Sequence, residues 1–307
     1  MRFLVLGAGA IGGYYGGRLI EGGADVTFLV RERRARQLAD HGLIVKSSLG
    51  NIARPVKTRL SGEVREQFDV VLLSCKAYDL DNAIEAISPA LRPNSAVLPL
   101  LNGLLHVTVL SERLGASHVL GGACYIGATL GPSGEIVHMG EMDRLTFGEL
   151  SGERTERCEA IGAVFTTTKV TATLNDNIIQ AMWEKFVMLA SLAATTTLTR
   201  ANVGEIMAAP TGEWLMLSVL NEVEAIAVAE GHAPAPEALE RTRKMLTARS
   251  SAFSSSMMRD MLAGGRTEGD HIIGDLVRRA EKHAVPVPLL RAALANLQVH
   301  EARRNCR

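Results

Sequence analysis

Apolar positions in the first half of the chain come in short blocks, Phe3–Leu6, Val26–Val30, Val70–Ser74 and Ala96–Leu100. The mixed segments between them are long enough for crossover helices, which is the pattern of a parallel sheet. Residues 131–148, GPSGEIVHMGEMDRLTFG, read differently. Turn residues there separate two short alternating runs and predict an antiparallel extension on the sheet edge. From Asp176 onward the apolar residues recur at helical spacing, predicting helices over 178–198, 212–230, 236–250, 254–263, 269–283 and 288–303. Just before that change, TTTKVTATLND carries β-branched residues and then an Asn/Asp cluster suited to capping a helix. The expected architecture is an α/β Rossmann-type doubly wound sheet domain over residues 1–175, followed by an all-α domain over 176–307.

Composition narrows the function classes. At 307 residues and 47% hydrophobic content, both domains can bury a core. Lys plus Arg number 33 and Asp plus Glu number 33, so no net field would recruit nucleic acid or an anionic membrane. No uninterrupted apolar stretch is long enough to span a bilayer. Cys75, Cys124, Cys158 and Cys306 lie far apart and read as free thiols of a reducing compartment. MRFLVL runs directly into a glycine motif, so it is read as structure rather than as a cleavable signal, and a cytoplasmic location is expected. His138, His232 and His271 lack metal-ligand spacing and are expected at the surface or in loops, with no metal bound. The apolar surface of the helical domain suits either an internal core or a homodimer contact.

The chemistry begins at GAGAIGG, where Gly7, Gly9 and Gly12 form a GxGxxG between a strand and a helix. Gly7 permits the tight turn, Gly9 lets a pyrophosphate approach the backbone, and Gly12 allows close packing. Ala10 and Ile11 open the helix whose N-terminus favours phosphate charge. At the end of the second strand, where an acid would hold the 2′-hydroxyl of NAD, stands Arg31, a cation suited to the 2′-phosphate of NADP. Lys76 in LLSCKAYDL and Asn102 in PLLNGLLH follow successive strand ends, where a parallel sheet presents loop residues to a ligand.

In the helical half, IIQAMWEKFVMLASLAATTTLT holds only two charges, Glu184 and Lys185. Lys185 shares its helix face with Ala181, Met182, Met188, Leu189 and Leu192, and an ammonium set on apolar surface is a readier proton donor. Snorkelling to water is the competing account. Further on, Thr267 is suited to cap a helix with Asp270 as the capping-box acid, which puts Glu268 in the first turn.

GAGAIGG with Arg31, CKAYDL, LLNG, AMWEKFV, and SSM followed twelve residues later by TE occur in the order seen in ketopantoate reductases, and the chain resembles that family over nearly its whole length. The resemblance implies reduction of 2-dehydropantoate, a small 2-oxo acid, to D-pantoate by NADPH. It implies Lys185 as general acid and Asn102 beside both nicotinamide and lysine. Ser256 and Glu268 would contact substrate, with Glu268 counted among the catalytic residues, Arg31 would hold the 2′-phosphate, and Lys76 would line the cofactor pocket. The chain departs from the pattern at Leu189, Ala193, Val203 and Phe253, where polar asparagines are expected. Asn202 replaces one of them only by a shift of one position. A site that hydrogen-bonds a substrate hydroxyl discriminates far more than an apolar one, so a paralogue acting on a more apolar 2-oxo acid or ketone is the alternative. Asp79 departs too, standing where a neutral amide is expected near the 2′-phosphate. A hydroxyacid dehydrogenase of another class leaves SSM and TE unexplained, and a non-enzymatic nucleotide sensor leaves Lys185 unexplained.

Overall fold

The computed structural model describes residues 1–306. The chain forms two compact units, the first built from Met1–Leu101 with His106–Ile179, the second from Asn102–Leu105 with Gln180 onward. In chain order the elements begin β1 (Arg2–Leu6), α1 (Ala10–Glu21), β2 (Asp25–Leu29), α2 (Glu32–His41), β3 (Leu43–Lys46), β4 (Ile52–Arg54), β5 (Lys57–Arg59) and β6 (Val70–Leu73). They continue with α3 (Leu80–Ile87), β7 (Ala96–Pro99), α4 (Leu105–Leu114), β8 (Leu120–Leu130), β9 (Ile136–Glu149), α5 (Glu156–Thr166) and β10 (Thr171–Leu174).

Five of these strands form a parallel sheet in the order β5-β2-β1-β6-β7. Phe3 and Val5 enter one buried cluster while Leu4 and Leu6 enter another, so both faces of β1 are covered. Double burial is why the inner strands read as apolar runs rather than as alternation, while the edge strand β5, Lys57–Arg59, is charged and carries no such signal. The winding direction reverses between β1 and β6, opening a crevice at their carboxyl ends.

The antiparallel segment adjoins the edge of that sheet, where Val119, just ahead of β8, bridges Val97 of β7, but it belongs to a second sheet. β9 is one long strand in a second sheet, β10-β9-β3-β4, with β8 paired antiparallel to it from Leu120↔Glu149 to Leu130↔Ile136. Its inward residues Ile136, Leu145 and Phe147 share a core with Tyr14, Tyr15 and Leu19 of α1, so it stacks across α1 instead of lengthening the parallel sheet.

Squeezing a helix between two sheets explains the sequence AIGGYYGG. A Cβ on Gly16 would lie 2.5 Å from Phe28 of β2, and one on Gly13 would lie 2.3 Å from Ile136 of β9. Gly17 would meet Leu43 of β3 at 3.1 Å. Between the glycines, Tyr14 donates its hydroxyl to Asp143 at 2.6 Å and lies under the guanidinium of the wholly buried Arg18. Arg18 in turn pairs with Glu21 and donates to the Gly50 carbonyl.

Helices α6 (Ile178–Thr199), α7 (Val203–Ala208), α8 (Gly212–Ala229), α9 (Pro236–Leu246), α10 (Ser256–Leu262), α11 (Asp275–Lys282) and α12 (Pro288–Asn305) complete the chain. The sequence pattern misses the short α7, whose capping box pairs Asn202 with Glu205. Buried hydroxyls on α6 bond back one turn, as Thr195 does to Ser191 and Thr197 to Ala193. Glu222 of α8 accepts from the first amides of α12, at Leu289 and Leu290, fixing where that helix starts.

A single π turn, Asp270–Gly274, precedes α11. Thr267 does not cap it, because its amide and hydroxyl both donate to Glu301 of α12, at 2.7 and 2.9 Å. Glu268 therefore lies just ahead of the turn rather than within it, its carbonyl accepting from Ile272.

Candidate active site

The first unit holds a cavity of about 780 Å³ at the carboxyl ends of β1, β2 and β6, lined by Gly7, Ala8, Gly9, Arg31 and Asp79 among others. Gly7 has φ +91°, a conformation that favours glycine. Ser74, at the end of β6, fixes the turn by donating its hydroxyl to the Leu6 carbonyl at 2.7 Å. A Cβ on Gly12 would sit 2.2 Å from the Gly7 oxygen, whereas one on Gly9 would meet nothing within 4 Å. The turn is thus closed behind Gly12 and open above Gly9. Helix α1 starts at Ala10 with no side-chain cap and no acid in its first turn. Its leading N–H groups and positive dipole end suit an anion, so glycine turn, cavity and helix end together fit a dinucleotide pyrophosphate.

Arg31 is the N-cap residue of α2, and its side chain is 80% exposed. One guanidinium nitrogen lies 3.0 Å from Asp79, which ends the short turn Ala77–Asp79 after β6. Arg34 acts as a brace, donating Nε–H to the Ala8 carbonyl and Nη1–H to that of Gly134. Lys76 is half-buried at the start of the Ala77–Asp79 turn. Lys76, Ala10, Ile11 and Gly12 do not line the cavity, and Ile11 packs on the core instead.

In the second unit the structure brings two predicted residues into contact. Lys185, only 8% exposed on α6, donates from Nζ to Asn102 Oδ1 at 3.0 Å. Asn102 is held by a turn in which Gly103 has φ +88°. Glu268 is likewise buried, at 9% exposure. Ser256 opens α10 with its side chain exposed, while its neighbour Ser255 is buried, caps α10 through the Met258 amide, and bonds Thr196 at 2.8 Å. Of the apolar departures, Leu189 lies one turn beyond Lys185, Ala193 and Val203 are buried, and Phe253 is exposed.

His271 is not a surface histidine. It lies against Gly103, and burial pulls its imidazole below the usual range, although Glu268, Asp275 and the Asn102 backbone favour its charged form. His271 is half-buried, whereas His138 is buried, bonded to Ser47 and to the Met142 carbonyl. His232 is half-buried and stacks on Trp183. Among the described residues, no group of three or more His, Cys, Asp or Glu is placed to hold a metal. No helix among them is long and apolar enough to cross a membrane. Ser74 and His271 carry no pattern that a single sequence reveals, since each acquires its partners only through tertiary contact.

The family model described as ketopantoate reductase PanE/ApbA matches residues 3–152, and its C-terminal counterpart matches residues 177–301. The chain belongs to the ketopantoate reductase family. It is 39% identical over 302 residues to the uncharacterized oxidoreductase YkpB of Bacillus subtilis, covering 98% of this chain and 99% of that one. It is 31% identical to a 2-dehydropantoate 2-reductase of Halobacterium salinarum, covering 97% of each. A solved PanE/ApbA family ketopantoate reductase of Ralstonia eutropha superposes with a TM-score of 0.90 at 26% identity, covering 99% of this chain and 100% of that one. Ketopantoate reductases are oxidoreductases that work with a nicotinamide cofactor at a CH–OH/C=O pair, and the α/β sheet unit with an all-helical second unit is their fold.

Proposed function

We propose that this protein reduces the 2-ketone of 2-dehydropantoate to D-pantoate with NADPH, and that Lys185 is the general acid. The observation that carries this reading is the buried Lys185 ammonium on an apolar helix with its Nζ on Asn102 Oδ1 at 3.0 Å. A bound reduced nicotinamide would supply the hydride that the carbonyl carbon takes up. As the C=O bond opens, negative charge builds on its oxygen, and Lys185 both stabilises that charge and gives up the proton that completes the hydroxyl. Asn102 fixes the direction of the ammonium, so little reorganisation is needed as the charge develops. Glu268, buried in the same unit, and Ser256 are assigned to the substrate's polar groups. On the cofactor side, Gly7, Gly9, Ala10, Ile11 and Gly12 are assigned to the pyrophosphate turn, Arg31 to the 2′-phosphate, and Lys76, in the turn that follows β6, to the cofactor.

Leu189 favours a second reading. It stands one helical turn from Lys185, where a hydroxylated acid would be served by a polar side chain, and it suits a 2-oxo acid with an apolar substituent.

The test is NADPH oxidation by the purified protein with 2-dehydropantoate, alongside a series of 2-oxo acids of increasing apolar size. Lys185→Ala is expected to lower kcat by about 100-fold or more, the scale of general acid catalysis. Undiminished turnover by Lys185→Ala would sink the assignment of the acid. Negligible activity on 2-dehydropantoate beside brisk activity on a larger apolar acid would transfer the reading to the second substrate class.

A further inference from the structure

The cavity of the first unit contains a charge pair that a site built for a 2′-phosphate alone would not need. Arg31 leaves β2 and Asp79 follows β6, so they approach from the two strands that flank β1, and their side chains meet at 3.0 Å. Asp79 is the more enclosed of the two, 28% exposed against 80% for Arg31. The other charges lining this end of the cavity do not cancel Asp79. Glu32 is paired with Arg36, Arg34 is committed to the Ala8 and Gly134 carbonyls, and Arg33 is exposed.

A carboxylate at a strand end beside the glycine turn is the chemistry that accepts a hydrogen bond from a ribose 2′-hydroxyl, and a guanidinium is the chemistry that receives a 2′-phosphate. Both are present here on the same few ångströms of wall. We infer that Asp79 sets the cofactor choice of this site, accepting the 2′-hydroxyl of NADH and opposing the 2′-phosphate of NADPH, so that the protein takes both dinucleotides. Binding of NADPH requires Arg31 to leave Asp79 and turn to the phosphate, with the carboxylate left close to a like charge. Binding of NADH leaves the pair intact. The inference rests on the assignment of Arg31 made under the proposed function.

Equilibrium titration of the purified protein with NADPH and with NADH, followed by the quenching of protein fluorescence, reads each affinity without any turnover. The wild-type affinities are expected to lie within about tenfold of each other, and Asp79→Asn is expected to shift their ratio toward NADPH by about tenfold or more, through tighter NADPH and weaker NADH binding. Asp79→Ser, which removes the charge with less bulk, should move the ratio in the same direction. An unchanged ratio in both variants overturns the inference, as does a wild-type protein that binds NADPH more than about a hundredfold tighter than NADH. Arg31→Ala distinguishes the two levels of the argument. If it leaves NADPH affinity intact, the assignment of Arg31 fails and the inference falls with it. If it weakens NADPH while the Asp79 variants change nothing, only the role of Asp79 fails.

Discussion

Gly9→Ala and Gly12→Ala separate what the glycine turn does for the fold from what it does for a ligand. A methyl on Gly12 would stand 2.2 Å from the Gly7 carbonyl oxygen and 2.1 Å from Ser74 Oγ, inside the 3.0 Å that real Cβ atoms keep. Ser74 can rotate away, but only by giving up its bond to the Leu6 carbonyl, and the Gly7 oxygen cannot move without opening the turn. Overpacking against backbone costs about 3 kcal/mol and the lost bond about 1, offset by the ~1 kcal/mol that alanine gains over glycine within a helix. The net loss of about 3 kcal/mol corresponds to a melting temperature lower by roughly 5 °C in a chain of this size. Gly9 has φ −77° and open space around the added methyl, so Gly9→Ala should leave stability within about 0.5 kcal/mol of wild type. The same methyl fills the space through which a pyrophosphate would reach the amides of α1, and dinucleotide affinity should fall at least about tenfold, or 1.4 kcal/mol. Scanning fluorimetry measures the first quantity and cofactor titration the second. Wild-type affinity in Gly9→Ala would refute the path assigned to the pyrophosphate, and a wild-type melting temperature in Gly12→Ala would refute the packing argument.

Two further outcomes follow from polar groups held within each unit. Tyr14→Phe leaves the buried Asp143 carboxylate without its hydroxyl donor and should cost about 2 kcal/mol in urea unfolding. A loss below about 0.5 kcal/mol would show that Asp143 recovers a partner. Burial works to raise the Glu230 carboxyl, but His283, Lys282 and Arg279 around it hold it down at about 2 against an ordinary 4.5. A depressed carboxyl contributes stability that is present above pH 4.5 and is lost as pH falls toward 2. In Glu230→Gln, acid unfolding should show a shallower loss over that window, by about 2–3 kcal/mol in total. An unchanged acid slope would mean that the cluster is no tighter in the folded state than in the unfolded one.

The parallel sheet was legible because burial on both faces leaves β1, β6 and β7 as apolar runs and β2 as one broken only by Thr27, and the GxGxxG locates its own strand and helix. The second sheet was only half legible. Period-two alternation in 131–148 marks a strand, but nothing in the local pattern says that it lies across α1 or that LGGACYIGATL is its partner. In the helical unit, Lys185 is conspicuous as an ammonium among apolar neighbours and Asn102 as a turn residue at a strand end. Their contact spans 83 positions of sequence and leaves no periodic trace. Thr267 shows the opposite failure. Its spacing to Asp270 satisfies a capping pattern, yet Glu301, on a helix 34 residues away, takes its hydroxyl. The Arg31–Asp79 pair was visible only as a cation where one was expected and, separately, as a departure at Asp79, because charge pairing across a crevice depends on strand order rather than on spacing.

Helix α1 cannot hold itself together. Four of its twelve residues are glycine, each costing about 1 kcal/mol relative to alanine, in a helix short enough to be marginal in water even with better residues. It persists because β2 on one side and β3 and β9 on the other leave no room for side chains and no freedom to unwind. The amides offered to an anion therefore exist only while both sheets are closed on the helix, so the binding face and the last piece of the sandwich to set are the same segment. A dinucleotide held there would act as a clamp on the whole first unit, slowing amide exchange in strands it never touches and raising that unit's unfolding midpoint with its concentration.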